Sequence, residues 1–175
     1  EPTCHPLGPK NTLVFAPGLL SGTFAANSGR LSVGAKSPLT GTIKEANAGG
    51  TAAQLLARAG CKALIIEGQP KEDKWYSLAL TPEGVTIKEE SELIGKGNFA
   101  VVEALGKRTA EKLAVITIGP AGEMRMRAAN ISIKDPDGGL RSNGRGGLGA
   151  VMGSKKVKFI TIDAKDGKVE IANPE

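Results

Sequence analysis

Aromatic residues make up only 3% of the 175-residue chain: four Phe, one Tyr and one Trp. So few rings exclude a single-stranded nucleic-acid platform, which works by stacking bases on aromatic side chains. No nucleic-acid partner is expected. Cysteine is equally scarce: Cys4 and Cys61 stand far apart without a Cys-x-x-Cys pattern, and His5 is the single histidine. That inventory excludes a zinc ligand set, or the cysteines of an iron–sulfur cluster, drawn from this chain alone. No apolar run approaches the ~20 residues of a membrane helix, and the first residues do not read as a signal peptide. The expectation is a cytoplasmic protein with no membrane partner. Runs of basic residues are also missing, although the net charge is +5. Charge spread in this way reads as a solvated surface, with a docking face for anions as the alternative.

What is present is hydrophobic content and glycine. At 40% hydrophobic residues the chain fills a core, and its length fits one domain over residues 1–175. Its 24 glycines stand well above the usual share of about 7%. Glycine at that density, outside low-complexity sequence, marks tight turns or backbone brought close to a ligand.

Glu1 to Asn11 carries three prolines and reads as an extended lead-in. Thr12 to Ala16 reads as a strand closed by Pro17-Gly18, and Leu31 to Ala35 as a second strand. Thr51 to Ala59 has helical spacing and stops at Gly60. Lys62 to Glu67, apolar on both faces at its centre, reads as an interior strand. Trp75 to Leu80 and Val85 to Lys88 flank Pro82-Glu83-Gly84 as a hairpin. Asn98 is expected to cap a helix running to about Lys112, with Val101, Val102, Leu105 and Thr109 inward. Strands are then expected at Leu113 to Ile118, Met124 to Ile133 and Val157 to Ile162. A glycine loop at Gly138 to Gly147 and a short helix lie before the last of these.

Two stretches echo each other. LVFAPG, a GR segment, AGG, a short helix, a glycine and KALIIEG are answered by ITIGPAG, AANISI, GRGG, a short helix, Gly153 and KKVKFITID. In both, strand–turn–strand leads to a glycine pair opening a helix, which returns to an apolar strand. The fold class is therefore α+β: a duplicated strand-rich unit with twisted sheets and a few short helices, related by a pseudo-twofold axis.

The densest chemical signal is RSNGRGGLGAVMGSK, from Arg141 to Lys155. Successive glycines can present backbone N–H groups to an anion, and Arg141 and Arg145 suit a phosphate or pyrophosphate. Tight strand–helix packing would equally require glycine. Gly144, Gly146 and Gly149 satisfy G-x-G-x-x-G, but the preceding KDPDGGLRSN reads as a loop, so a Rossmann fingerprint fails. Gly153-Ser154-Lys155 reverses the Lys-Ser order of a P-loop and fails as well. A second signal comprises Gly29-Arg30, KSPLTG from Lys36, and Asn47-Ala48-Gly49-Gly50 at the start of a helix.

The order GR…KSPLTG…AN-x-GG…AGCKALIIEG…IGPAGE…GRGGLGAVMGSK resembles the N-terminal domain of the aldehyde ferredoxin oxidoreductase family, the tungsten-pterin enzymes, from about Asn11 to Ala164. The resemblance implies a base for a bis-pterin tungsten (or molybdenum) cofactor. It implies that Arg30 lies between pterin and iron–sulfur cluster. Asn47 and Gly49 would form one pterin loop, and Arg141, Ser142, Gly144 and Arg145 the other. It further implies that the backbone carbonyls of Asn47 and Ser142 hold Mg between the pterin phosphates. A full enzyme of this kind would oxidise aldehydes to carboxylic acids and pass electrons through a 4Fe–4S cluster to ferredoxin.

The family's first strands, its cluster cysteines and its acid/base residues have no counterpart here. The chain is accordingly expected to be a fragment or a split subunit, with no catalytic residue of its own and inactive without the remaining domains. A non-catalytic phosphate- or nucleotide-binding module is the alternative, and an assembly subunit whose glycines merely pack is a third. Cys61 reads as a small buried hydrophobe, Cys4 and His5 as lead-in rather than a metal pair, and Glu89, Glu90 and Glu92 as solvated. Glu123 could cap or brace a strand turn.

Overall fold

The computed structural model describes residues 3–108 and 113–172. The first sheet contains β1 (Leu13–Pro17), β2 (Leu31–Lys36), β3 (Ile43–Ala48) and β4 (Leu64–Ile66), in the order β3-β2-β1-β4, with α1 (Ala52–Arg58) between β3 and β4. The rest of the chain adds β5 (Tyr76–Thr81), β6 (Gly84–Glu89), α2 (Asn98–Arg108), β7 (Ala114–Thr117) and α3 (Pro120–Glu123). It ends with β8 (Ile131–Lys134), β9 (Leu140–Asn143), α4 (Leu148–Ser154) and β10 (Val157–Ile162). The second sheet runs β6-β5-β10-β7-β8-β9.

The duplication is explicit in the topology. Strands β4-β1-β2-β3 and β10-β7-β8-β9 occur in the same order, and every neighbouring pair is antiparallel. Each unit sends a helix from its third strand back to its fourth. The second unit alone carries the β5–β6 hairpin, whose β5 pairs parallel to β10.

Burial follows from these positions. Along β2, Leu31, Val33 and Ala35 are buried and their neighbours half-buried, the period-two pattern of a sheet with one face on the core. Central β7 is buried at every residue because both faces are covered. One face joins the main core through Ile116, with Phe15, Leu31 and Leu56; the other meets α2 through Val115, Phe159, Val101 and Leu105. Thr109 and Lys112, the expected end of that helix, lie outside the described residues.

Several expectations need correction. The KALIIE strand is a three-residue edge strand with Ile65 56% exposed, because the sheet ends there instead of continuing. The strand expected from Met124 begins only at Ile131, since α3 and its closing turn occupy the preceding residues. The expected glycine loop contains β9, and β3 was not foreseen. Asn98 is the first residue of α2 and donates from Nδ2 to Ser132 Oγ at 2.8 Å, so it ties the helix to β8 instead of capping it. The lead-in is a series of turns, fixed by Asn11 Nδ2 to the Pro6 and Lys36 carbonyls at 2.6 and 2.9 Å. Glu90 is buried and accepts the Leu93 N–H at 2.9 Å, whereas Glu89 and Glu92 are exposed.

Candidate functional site

The edge strands β3 and β9 bring the two units together. Along β3, Ala46 and Ala48 are buried and Asn47 between them is exposed. Along β9, Arg141 and Ser142 are exposed and Asn143 is fully buried. Asn143 Nδ2 reaches across to the carbonyls of Ala46, at 2.9 Å, and Leu31, at 3.4 Å. The small side chains at 46 and 48 leave room for this approach.

The outer side of the junction is a cleft of about 340 Å³ lined by Arg30, Asn47, Gly49, Gly50, Asp135, Arg141 and Ser142, with Ala48. Five of the seven residues singled out in the sequence thus share one surface: Arg30, Asn47, Gly49, Arg141 and Ser142. Gly144 and Arg145 do not line it. Asp135 and Asn143 escaped the sequence reading. Asp135 sits in a turn-forming KDPDGG stretch that looks like mere punctuation, and nothing in the sequence marks Asn143 as buried.

Hydrogen bonds set the geometry. Arg30 donates from Nε to Asn47 Oδ1 at 2.7 Å, and its Nη2 contacts the same oxygen and, at 3.4 Å, the Asn47 carbonyl. The second unit repeats the arrangement with different chemistry: Asn130, just before β8, donates from Nδ2 to Ser142 Oγ at 3.1 Å. The registers coincide, since Ser32 faces Asn47 as Ser132 faces Ser142. Arg141 Nε meets Asp135 Oδ2 at 2.5 Å. Two guanidinium groups and one carboxylate leave the cleft with a positive excess, suited to an anion that can accept from planar Arg donors.

The glycines divide into two groups. A methyl on Gly147 would overlap the Arg127 carbonyl, one on Gly149 the Asn130 carbonyl, and one on Gly153 the Gly122 carbonyl. These glycines serve close packing of α4, as does Gly146 under the Lys44 side chain. Gly49 and Gly144 have nothing within 4 Å of where a Cβ would stand, so protein packing does not demand them. The SPLTG turn braces the second loop, because Ser37 Oγ donates to the Gly146 carbonyl at 2.6 Å and is buried. A Rossmann site fails, though for a different reason than expected: the glycines do follow a strand, but β9 is not a neighbour of β10, so β9-α4-β10 is not a parallel βαβ unit.

A larger cleft of about 960 Å³ lies beyond Gly50 and Asp135. Three cationic side chains, Arg58, Lys134 and Lys165, and three anionic ones, Asp135, Asp163 and Asp166, line it, so it does not select a charge. Away from both clefts, Lys158 is fully buried on β10 and pairs with Glu123, while donating at 2.8 Å to the Lys96 and Ile118 carbonyls. Glu123 also accepts the Gly95 N–H at 2.9 Å, so it braces the segment before α2. Burial pushes the Lys158 ammonium below its usual range, with Glu123 opposing that shift. Cys61 is half-buried against the core and Cys4 is buried. Among the described residues no cluster of three or more His, Cys, Asp or Glu side chains is placed to hold a metal ion, and no helix is long and apolar enough to cross a membrane.

Residues 1–164 match the model of a family described as aldehyde ferredoxin oxidoreductase, N-terminal domain. The chain is 41% identical over 174 residues to the tungsten-containing aldehyde ferredoxin oxidoreductase of Pyrococcus abyssi, covering 99% of this chain and 28% of that protein. It is 40% identical over 176 residues to the protein of the same description from Thermococcus kodakarensis, covering 100% of this chain and 28% of that one. Among solved structures, the active site complex BamBC of benzoyl coenzyme A reductase in complex with 1,5 dienoyl-CoA matches with a TM-score of 0.85 at 34% identity, over 97% of this chain and 25% of that one. The chain therefore spans about 28% of the length of the curated relatives it matches.

Proposed function

The chain belongs to the aldehyde ferredoxin oxidoreductase family, matching its N-terminal domain, and on that premise we propose that the β3–β9 cleft cradles the phosphates of a tungsten (or molybdenum) bis-pterin cofactor. The observation that carries the reading is convergence. Residues from three separate segments, Arg30, Asn47-Gly49 and Arg141-Ser142, meet around one positively charged cleft with an open glycine at its edge. Their chemistry fits a multiply anionic ligand: two guanidinium groups, accessible backbone at Gly49, and carbonyl oxygens of the kind a hard cation accepts.

In this reading Arg30 and Arg141 would neutralise phosphate charge, and the backbone carbonyls of Asn47 and Ser142 would hold Mg as hard oxygen ligands. Gly144 and Arg145 extend the second loop toward the pterin. When bound, such a cofactor supplies two-electron oxidation of an aldehyde to a carboxylic acid, with electrons leaving through a 4Fe–4S cluster to ferredoxin. The cluster ligands and the substrate pocket belong to the remaining domains or subunits. This chain contributes binding, orientation and positive charge, and alone it is inactive.

The test is the metal, pterin and phosphate content of the full protein purified from its native host with its partners. Tungsten or molybdenum together with fluorescent oxidised pterin is expected. A folded sample carrying phosphate or nucleotide but neither metal nor pterin would overturn the reading in favour of a non-catalytic phosphate-binding module.

A further inference from the structure

Asn143 is fully buried, yet its side-chain oxygen has no hydrogen-bond partner among the described residues. Only its Nδ2 is engaged, and both of that group's acceptors are backbone carbonyls of the other unit, Ala46 and Leu31. A buried amide with an orphaned acceptor is disfavoured against an apolar side chain of similar volume. Its presence calls for a task that the donor half performs.

The sequence positions identify that task. Leu31 follows Arg30, Ala46 precedes Asn47, and Asn143 itself follows Ser142. One amide group, itself next in sequence to Ser142, therefore grips the main-chain neighbours of two other residues that line the cleft, Arg30 and Asn47. Register strengthens the link: Leu31 faces Ala48 across β2–β3, and Asn143 faces Ile131 across β8–β9, so the amide joins strands that belong to two different sheets. β3 and β9 are edge strands, and no ladder connects them. Thr51, through its N–H and hydroxyl to the Lys134 carbonyl at 3.1 and 3.0 Å, and Ser37, through Oγ to the Gly146 carbonyl, also join the two units nearby, but the Asn143 donor runs from β9 itself to β3 and so bears directly on the strands that carry Asn47 and Ser142.

We infer that Asn143 is a positioning residue that sets the separation of the two halves of the cleft, and with it the distance between the carbonyls of Asn47 and Ser142. The inference rests on the phosphate-cradle reading. It adds a residue that touches no ligand and acts through the backbone of those that do. Outer-shell groups of this kind typically contribute about 10- to 100-fold to affinity at a metal site.

The test uses the full-length protein, cofactor-free, with Asn143→Leu and Asn143→Thr beside the wild type. The leucine variant removes the donor at similar volume, and threonine restores one donor. Two readouts are taken: affinity for magnesium pyrophosphate, and amide hydrogen exchange at residues 47–50 and 142–144. Asn143→Leu is expected to weaken pyrophosphate binding about tenfold or more and to speed exchange in both loops together, with Asn143→Thr in between. Unchanged affinity and unchanged loop protection in a folded Asn143→Leu protein would overturn the inference. Should Asn143→Leu fail to fold, Asn143→Thr decides by the same two readouts. Failure of the wild type itself to bind magnesium pyrophosphate would count against the cradle reading; the exchange data would still decide the Asn143 link, because they require no ligand.

Discussion

Arg30 and Asn47 are joined on the outer side of the first sheet, with Arg30 Nε 2.7 Å from Asn47 Oδ1 and Nη2 contacting both the side-chain and backbone oxygens of the same residue. In the second unit the corresponding link is neutral, from Asn130 to Ser142. The duplicated fold therefore presents two cationic side chains to the same cleft, Arg30 bonded to a neutral amide in the first unit and Arg141 paired with the Asp135 carboxylate in the second. If the cleft holds a two-armed cofactor, its arms meet unequal electrostatics, and the Arg30 side is where a removed charge has the larger effect. Arg30→Ala in the full enzyme is expected to lower the potential of the nearest redox centre on the order of tens of millivolts, because reduction loses a neighbouring positive charge. Redox titration monitored by paramagnetic resonance checks this, and unchanged potentials with unchanged turnover would remove Arg30 from the electron path.

Asp135 shares the cleft with Arg141 and holds its guanidinium at 2.5 Å. A phosphate arriving at Arg141 must compete with that carboxylate. Since an exposed pair of this kind contributes up to about 1 kcal/mol, Asp135→Asn should tighten magnesium pyrophosphate binding by about two- to fivefold. Calorimetric titration of the cofactor-free full-length protein provides the measurement. Weaker binding would mean that Asp135 organises the site instead of occupying it.

The glycines yield a paired prediction. Gly147 has φ of +68° and faces the Arg127 carbonyl, so Gly147→Ala combines backbone strain with overlap and should destabilise by about 2–4 kcal/mol. Gly49 has open space and no left-handed backbone, so Gly49→Ala should change stability by less than about 0.5 kcal/mol while lowering cofactor occupancy. Thermal unfolding and metal analysis of the two variants separate the effects. Equal loss of stability in both would mean that Gly49 is a packing glycine too.

Lys158 supplies the pH dependence. Its folded-state value lies below 10.5, with burial as the main cause and Glu123 opposing. Between the two values the unfolded chain binds more protons than the folded one, so this group makes stability rise with pH as the alkaline range is entered. Amide exchange in β10 should show that rise in the wild type, and Lys158→Met should flatten it. Glu123→Gln leaves a buried ammonium without its counter-charge and should destabilise by about 3–5 kcal/mol.

The duplicated unit was legible because glycine pairs, short helices and apolar strands recur in one order, and each of those signals is local. The cleft residues were legible as a set only through the family resemblance, since Arg30 beside Gly29 and Asn47 beside Ala48 look ordinary in isolation. What stayed hidden depends on long-range pairing. LRSN carries no alternating apolar pattern, yet it forms β9 because Ile131 and Ile133 across the ladder supply the core contacts. Glu90 sits in an acidic run that reads as solvated, but the turn into Leu93 needs its carboxylate. Asn143 is invisible for the same reason: its partners lie 97 and 112 residues away.

The central claim is that the β3–β9 cleft holds the phosphate arms of a metal–pterin cofactor, and a crystal structure of the intact protein from its native host tests it most directly. The account predicts two phosphates within hydrogen-bonding distance of the Arg30 and Arg141 segments, with a cation between the carbonyls of Asn47 and Ser142. Cofactor phosphates bound elsewhere, with the Arg141–Asp135 pair undisturbed, would contradict it.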